Sequence, residues 1–91
     1  MKKYIFNNIE YELIENERDA FSNEDVLEKC TDYFMTYDYI VGDWAYGKLR
    51  LKGFCDKSNE IHNKINDFNN KEKYLKNNCA FQCRYFILKK L

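Results

Sequence analysis

Proline is absent from this 91-residue chain, glycine occurs only three times, and no apolar stretch approaches the roughly 20 residues that a membrane-spanning helix needs. The chain therefore contains no Pro/Gly-rich linker, and its length suits a single domain over residues 1–91. Lys and Arg total 15, as do Asp and Glu, so the formal net charge is zero. This excludes a polycation that binds nucleic acid through bulk charge, although it allows a local basic stripe.

The start of the chain also lacks the features of a secretory leader. Only three apolar residues, 4–6, follow the charged start before Asn7, Asn8 and Glu10 interrupt them. Together with the lack of a long apolar stretch, this pattern predicts a cytoplasmic protein that does not contact a membrane.

Cysteine occurs four times, which in an exported chain would suggest disulfides, but cytosolic thiols stay reduced. We therefore predict free thiols that serve as small buried side chains at Cys30, Cys55 and Cys83. The spacing from Cys79 to Cys83 is not the C-x2-C of a zinc knuckle, and the single histidine, His62, lies in a polar stretch. We expect neither a metal site nor a cofactor.

Alternating and helical patterns of apolar residues predict the secondary structure. Asn7 and Asn8 suit the turn of a first hairpin, because both tolerate left-handed backbone angles. Gly42 and Gly47 bracket the predicted turn of a second hairpin, and Asp67 is a suitable N-cap for the last helix. In chain order, the predicted elements are strand 3–6, strand 9–15, a helix from Ser22 or Asn23 to about Tyr37, strand 37–43, strand 47–54, helix 67–78 and strand 82–88.

These elements predict an α+β fold: an antiparallel sheet of about five strands, built from two hairpins and a C-terminal strand and packed with two principal helices. The last strand is almost continuously apolar, which is typical of an inner strand covered on both faces. The polar stretch 56–66 fits either a weak helix or a mobile loop. The pattern does not say which face of the second hairpin the helices cover.

The strand 47–54 places three cations on one face. Lys48, Arg50 and Lys52 alternate with Leu49 and Leu51, so we predict buried leucines and exposed cations. The cations repeat at about 6.6–6.8 Å, which is close to the spacing of phosphates along a single nucleic-acid strand. This face is therefore a candidate for binding RNA or another polyanion.

Asp38 and Asp43 lie across the predicted hairpin from these cations. One interpretation is that one of them neutralises a cation on a solvated sheet face. The enzymatic alternative is an acid–base cluster of Asp38, Asp43 and Lys52. The sequence contains no recognisable set of nucleophile, base and orienting group, so no catalytic residue is named.

The predicted turn carries Trp44 and Tyr46. At a loop tip both rings would be available to stack on bases or to anchor a protein partner, although Trp44 could instead fold back over the core. We predict that Trp44, Tyr46, Lys48, Arg50 and Lys52 form one binding patch. Because exposed charges contribute little to stability, the double change Arg50→Ala/Lys52→Ala is expected to leave folding almost intact.

The stretch 37–54, Tyr-Asp-Tyr-Ile-Val-Gly-Asp-Trp-Ala-Tyr-Gly-Lys-Leu-Arg-Leu-Lys-Gly-Phe, resembles the signature of the YutD-like family of bacterial proteins. The segments 19–21 and 79–90 are also similar to blocks of that family. Ala45 stands where the family typically has glycine, which indicates that this position does not need a positive φ. The resemblance spans most of the chain and is weakest over 56–73. It implies a compact bacterial cytosolic domain and carries over no activity, cofactor or catalytic residue.

We therefore expect a non-enzymatic binding module that acts through the 44–54 hairpin, with RNA or a ribonucleoprotein as the preferred partner. The alternative is a protein–protein interaction module that uses the turn with Trp44 and Tyr46, and a small enzyme is the least favoured function. Salt dependence separates the first two, because phosphate contacts make log K fall linearly with log salt concentration. The sequence does not set the oligomeric state.

Overall fold

The computed structural model describes residues 2–78 and 84–91, which contain five strands, two α-helices and two short 3-10 helices. The strands form one antiparallel sheet in the order β1-β2-β5-β3-β4, so the predicted α+β fold is confirmed. In chain order the elements are β1 (Lys3–Phe6), β2 (Ile9–Glu17), α1 (Asn23–Lys29), a first 3-10 helix (Asp32–Thr36), β3 (Tyr39–Ala45), β4 (Lys48–Phe54), a second 3-10 helix (Phe68–Asn70), α2 (Lys71–Asn78) and β5 (Tyr85–Lys90).

Both hairpins have two-residue turns with positive φ at both positions, the geometry that matches the twist of the flanking strands. Asn7 and Asn8 have φ of 53° and 65°, as their side chains predicted. The second turn consists of Tyr46 and Gly47, with φ of 53° and 74°. The predicted four-residue turn is therefore wrong, because β3 continues to Ala45.

Two glycines inside the second hairpin make room for aromatic rings. A Cβ at Gly42 would lie 2.1 Å from a ring carbon of Phe86, and a Cβ at Gly53 would lie 2.4 Å from the ring of Tyr37. Such distances are far below van der Waals contact, so any larger residue would displace the ring. Gly42 thus serves packing in the middle of β3 rather than a turn.

Helix α1 covers the first face of the sheet. Ser22 caps it, because its Oγ accepts a hydrogen bond from the Asp25 amide at 3.5 Å. The predicted extension to Tyr37 is wrong: the backbone is extended at Cys30, whose carbonyl accepts a bond from the Asn7 side chain at 2.8 Å. The buried residues of this first core are Phe6, Tyr11, Leu13, Ala20, Val26, Cys30, Ile40, Leu49, Phe86 and Leu88.

The second 3-10 helix and α2 cover part of the second face. Phe68 lies flat on Tyr39, with ring centroids 3.6 Å apart, and Tyr74 packs edge-on against Phe54 at 5.6 Å. These contacts bury the apolar residues of β3, β4 and β5 that point to this face. The buried residues of the second core are Tyr39, Val41, Phe54 and Ile87.

The helix predicted at 67–78 is present as the second 3-10 helix followed by α2. Asp67 caps it, accepting a hydrogen bond from the Asn69 amide at 2.9 Å. Ile65 precedes the cap and is 76% exposed. Cys79, the residue that follows the predicted helix, lies outside the described residues.

Strand β5 occupies the centre of the sheet between β2 and β3, as its apolar sequence predicted. Residues 86–88 are completely buried, two of them in the first core and Ile87 in the second. The strand runs to Lys90, whose Nζ donates a hydrogen bond to the Met35 carbonyl at 2.8 Å. Of the predicted range 82–88, positions 82 and 83 fall outside the described residues.

The polar stretch after β4 forms successive turns rather than a helix. Buried Asn66 organises them: its Nδ2 donates to the Ile61 carbonyl at 2.9 Å, and its Oδ1 accepts from the Asn63 amide at 2.7 Å. The stretch ends in a parallel bridge between Cys55 and Asp67. This bridge places the segment along the sheet edge just beyond β4.

Candidate functional site

Strand β4 is an edge strand, and its side chains alternate between the two faces. Leu49 is buried in the first core and Leu51 is half-buried against it, so the predicted burial is complete for one leucine and partial for the other. Lys48, Arg50 and Lys52 point to the second face. Lys48 and Arg50 are exposed there, whereas Lys52 is half-buried.

Asp43 on β3 lies directly opposite Arg50 on β4, and the two side chains form an ion pair. Arg50 Nη2 donates a hydrogen bond to Asp43 Oδ2, and this bond is the main reason that the pKa of the guanidinium is raised. The Asp43 carboxylate is completely buried, whereas the Arg50 side chain is 42% exposed. Asp43 therefore holds Arg50 in one position on the second face, as the neutralisation interpretation predicts.

Trp44 lies on the opposite face from the three cations. It faces Leu49 across the hairpin and packs against the first core, and its Nε1 donates a hydrogen bond to the Ala20 carbonyl at 2.8 Å. The Arg84 guanidinium carbon lies 5.5 Å from the centroid of its ring. The structure therefore separates Trp44 from the predicted patch, because it belongs to strand β3 and not to the turn.

Tyr46 occupies the tip of the hairpin and is fully exposed. Its φ of 53° lies in the left-handed region. Glycine adopts this region readily and asparagine or aspartate at modest cost, whereas a bulky side chain such as tyrosine is disfavoured there. A large exposed ring at a position better suited to Asn or Gly points to function rather than stability. Arg50 lies on β4, the strand that leaves this turn.

Further cations lie beside β4, where the second 3-10 helix and α2 pack. Lys52 Nζ lies 5.9 Å from the centroid of the Phe54 ring, and Lys71 Nζ lies 4.6 Å from that of Phe68. An open groove of about 280 Å³ is lined by Lys64, Ile65, Asn70, Lys73 and Tyr74. We call the cations of β4 and α2 on this side the basic face; they are Lys48, Arg50, Lys52, Lys71 and Lys73.

The sequence contains a signal for this basic face that its zero net charge conceals. Residues 1–45 carry four Lys or Arg and eleven Asp or Glu, whereas residues 46–91 carry eleven and four, respectively. Strand β4 and α2 both come from the second half, so the cations gather where these elements pack together. Such an asymmetry suggests contact with a charged macromolecule.

The acid–base cluster considered for Asp38, Asp43 and Lys52 does not form. Asp38 Oδ2 accepts hydrogen bonds from the Asp56 amide at 2.8 Å and from the Asn59 side chain at 3.1 Å, and thereby holds the turns after β4. Asp43 is five residues further along, about 16 Å in an extended strand, and pairs with Arg50.

Cys30 and Cys55 are buried free thiols, as predicted, and burial raises the pKa of each. Cys79 and Cys83 lie outside the described residues.

His62 Nε2 lies 3.0 Å from Asp67 Oδ2. The Asn69 amide and His62 together lower the pKa of that carboxyl. Within residues 2–78 and 84–91, no three His, Cys, Asp or Glu side chains converge as metal ligands, and no helix is long and apolar enough to span a bilayer.

Comparison with known proteins gives consistent results for sequence and structure. The family model described as "Putative antitoxin YutD-like" matches residues 5–89. "Putative antitoxin YutD" of Bacillus subtilis (strain 168) is 40% identical over 87 residues, which are 96% of each chain. The solution NMR structure of protein yutD from B. subtilis matches with a TM-score of 0.83 and 38% identity, over 100% of this chain and 83% of that one.

Proposed function

Because the chain belongs to the YutD-like family, we propose that it is a protein-binding module. Its basic face and the turn with Tyr46 bind a partner protein that has an acidic surface. The observation that carries the proposal is the Asp43–Arg50 pair on the hairpin whose turn bears the exposed ring of Tyr46. Arginine and tyrosine are enriched among the residues that dominate binding energy at protein interfaces. A guanidinium already held by a buried carboxylate loses less conformational freedom when a partner binds.

The description of the family supports a protein partner. The family model and the B. subtilis relative both carry the words "putative antitoxin", and an antitoxin acts on a toxin. We infer that this chain acts in the same way, as a cytoplasmic single domain that binds its target without catalysis. The separation of Asp38 from Asp43 supports the non-catalytic role, because an acid–base site needs these groups to converge.

Single-stranded RNA is the second candidate partner. The repeat of the β4 cations, about 6.6–6.8 Å, and the excess of cations in residues 46–91 favour it. Its weakness is the position of Trp44, since the ring that would stack on bases lies on the other face and is hydrogen-bonded to Ala20. This leaves Tyr46 as the exposed ring of the predicted patch.

Capture of partners from the native cytosol tests the proposal. The bait is the tagged chain, compared with Lys48→Glu/Lys52→Glu and with the control Lys2→Glu/Lys29→Glu, which changes the net charge equally at exposed cations outside the basic face. We expect one protein to be recovered in comparable molar amount with the wild type and the control, and to be lost with the basic-face variant. The captured protein is then purified and mixed with each bait, and the complex is measured by calorimetry.

Two results would change the conclusion. Recovery of RNA instead of protein, with log K falling linearly with log salt concentration, would favour the second candidate. Equal capture of the same protein by the basic-face variant and the wild type would contradict both candidates.

A further inference from the structure

An open groove lies where the turns after β4 meet α2. The turns contribute Lys64 and Ile65, whereas the second 3-10 helix and α2 contribute Asn70, Lys73 and Tyr74. Its volume of about 280 Å³ lies just below the roughly 300–1,000 Å³ of sites that enclose a drug-sized ligand. The groove therefore suits one or two side chains of a macromolecule better than a free small molecule.

Hydrogen bonds fix the two walls of the groove. Asn70 Nδ2 donates to the Lys64 carbonyl at 2.6 Å and so joins one wall to the other. The amides of Ile65 and of buried Asn66 both donate to Asn63 Oδ1 at 2.9 Å. The Ile65 side chain is nevertheless 76% exposed. A partner that covers this side chain thus meets a backbone that is already ordered, which lowers the entropic cost of binding.

The groove is continuous with the basic face. Tyr74 packs edge-on against Phe54 with ring centroids 5.6 Å apart, and Lys52 Nζ lies 5.9 Å from the centroid of the same Phe54 ring. Both charged residues that line the groove, Lys64 and Lys73, are exposed cations. The groove therefore combines an exposed aliphatic side chain with positive charge.

We propose that this groove receives an apolar side chain of the acidic partner protein, flanked in the partner by carboxylates that pair with Lys64 and Lys73. This assignment rests on the proposed function and names the partner's anchor residue. In such a complex the anchor covers Ile65, and an apolar anchor in a pocket is a common centre of a protein interface. The two lining cations favour Asp or Glu beside the anchor and disfavour Lys or Arg, because juxtaposed like charges are repulsive.

The composition of the groove favours this occupant over two others. A nucleic-acid base would stack on an exposed ring, but the residue of the groove with the large exposed apolar surface is Ile65, which is aliphatic. A second copy of the chain could present Leu27, which is 54% exposed and followed by Glu28 in α1. The proposed function favours a different protein, and the test below separates the three occupants.

The probe is the synthetic peptide acetyl-Glu-Glu-Leu-Glu-Glu-amide, added to the isotope-labelled chain and followed by NMR. We expect it to shift the signals of Ile65, Asn70 and Lys73 at about millimolar concentration, because one anchor supplies only part of an interface. The same peptide with Asn in place of Leu should bind at least about fivefold more weakly, since it keeps the charges and nearly the shape but loses the apolar surface. The peptide acetyl-Lys-Lys-Leu-Lys-Lys-amide should leave the three signals unchanged.

Two serine variants of the chain locate the contact. Ile65→Ser removes the exposed aliphatic side chain of the groove, and Ile5→Ser removes one that is 65% exposed on β1, at the opposite edge of the sheet from β4. Both side chains lie mostly in solvent, so both variants should keep the dispersed spectrum of the folded chain. We expect Ile65→Ser to weaken binding of the Leu peptide at least about fivefold, and Ile5→Ser to leave it unchanged.

Five results would overturn the assignment. Three concern the anchor: no shift of the three signals at about 10 mM Leu peptide, equal binding of the Leu and Asn peptides, and equal binding of the Leu peptide to Ile65→Ser and wild type. The other two concern the occupant. Groove signals that shift with the concentration of the chain alone would assign the groove to a second copy, and larger shifts with hexauridylate than with the Leu peptide would assign it to RNA.

The capture experiment fails or succeeds separately, because it reverses charges on β4 and leaves the groove unchanged. A partner lost with Lys48→Glu/Lys52→Glu, combined with equal binding of the Leu and Asn peptides, would leave the proposed function standing and remove the anchor alone.

Discussion

Asp43 and Arg50 form an ion pair in which the carboxylate is completely buried while the guanidinium side chain remains 42% exposed. Loss of the ion pair therefore has a larger free-energy cost for Asp43 than for Arg50. A buried carboxylate is stable only when neighbouring groups compensate for its lost hydration, whereas a half-exposed guanidinium is still partly hydrated. Arg50 is therefore a cation of the basic face that also stabilises the fold.

Removing Arg50 should destabilise the protein far more than removing its neighbour Lys52. We expect Arg50→Ala to lower the free energy of unfolding by about 2–4 kcal/mol, because Asp43 loses a compensating charge. Lys52→Ala should cost less than about 1 kcal/mol. Urea unfolding of the two variants measures the difference. The expectation that the double variant folds almost normally is thereby revised, and equal, small effects would show that other groups compensate Asp43.

Gly42 should not tolerate a side chain. A Cβ there would lie 2.1 Å from the ring of Phe86, a completely buried residue of the first core on the central strand β5. We expect Gly42→Ala to cost about 2–4 kcal/mol, since overpacking a rigid core displaces its rings. Thermal unfolding measures the cost, and the double variant Gly42→Ala/Phe86→Leu serves as the control. It should lose clearly less than the sum of the single changes, whereas simple additivity would exclude the ring contact as the cause.

The elements that the sequence predicted well are those whose structure is determined by the residues within the element itself. The turn at Asn7 and Asn8 follows from side chains that tolerate positive φ, and the buried strand β5 follows from its continuous apolar run. The second turn was predicted too long, because tyrosine is a poor residue for the positive φ that Tyr46 adopts in a two-residue turn. Gly42 was misread as a turn residue, since its role depends on Phe86, a distant residue in the sequence.

In the candidate site, too, some features follow from the residues of one strand and others depend on residues distant in the sequence. The alternation of β4 correctly predicted a face of cations, because period two is a property of the strand itself. The position of Trp44 depended on its hydrogen bond to Ala20, and the burial of Asp43 depended on the packing of other elements over the sheet. No pattern within the hairpin contains that information.

The buried thiols should react slowly. Burial raises the pKa of Cys30 and of Cys55, so at pH 8 less of each is in the reactive thiolate form, and access is also blocked. In a Cys79→Ser/Cys83→Ser variant, we expect no fast-reacting thiol by Ellman titration until the protein is unfolded. Since the folded pKa values are raised, the stability contributed by these thiols is present below pH 9 and is lost above it. A fast-reacting thiol at pH 7 would contradict the buried placement.

Tyr46 should show a trade-off between stability and binding. Its ring is fully exposed, and its backbone has a φ that favours Asn or Gly. We expect Tyr46→Asn to raise the free energy of unfolding by about 0.5–1 kcal/mol, because asparagine adopts left-handed angles at lower cost. This corresponds to an increase in Tm of about 2–8 °C for a domain of this size, which scanning calorimetry detects.

The same change should weaken binding of the captured partner protein by about tenfold or more, since tyrosine is among the residue types that dominate the binding energy of interfaces. Tyr46→Phe is the matched control: it keeps the ring and the backbone cost, so both stability and affinity should stay near those of the wild type. Calorimetry of each variant with the partner measures the affinities. If Tyr46→Asn is more stable and binds as tightly as the wild type, the turn lies outside the interface, and the cations of β4 and α2 must account for binding.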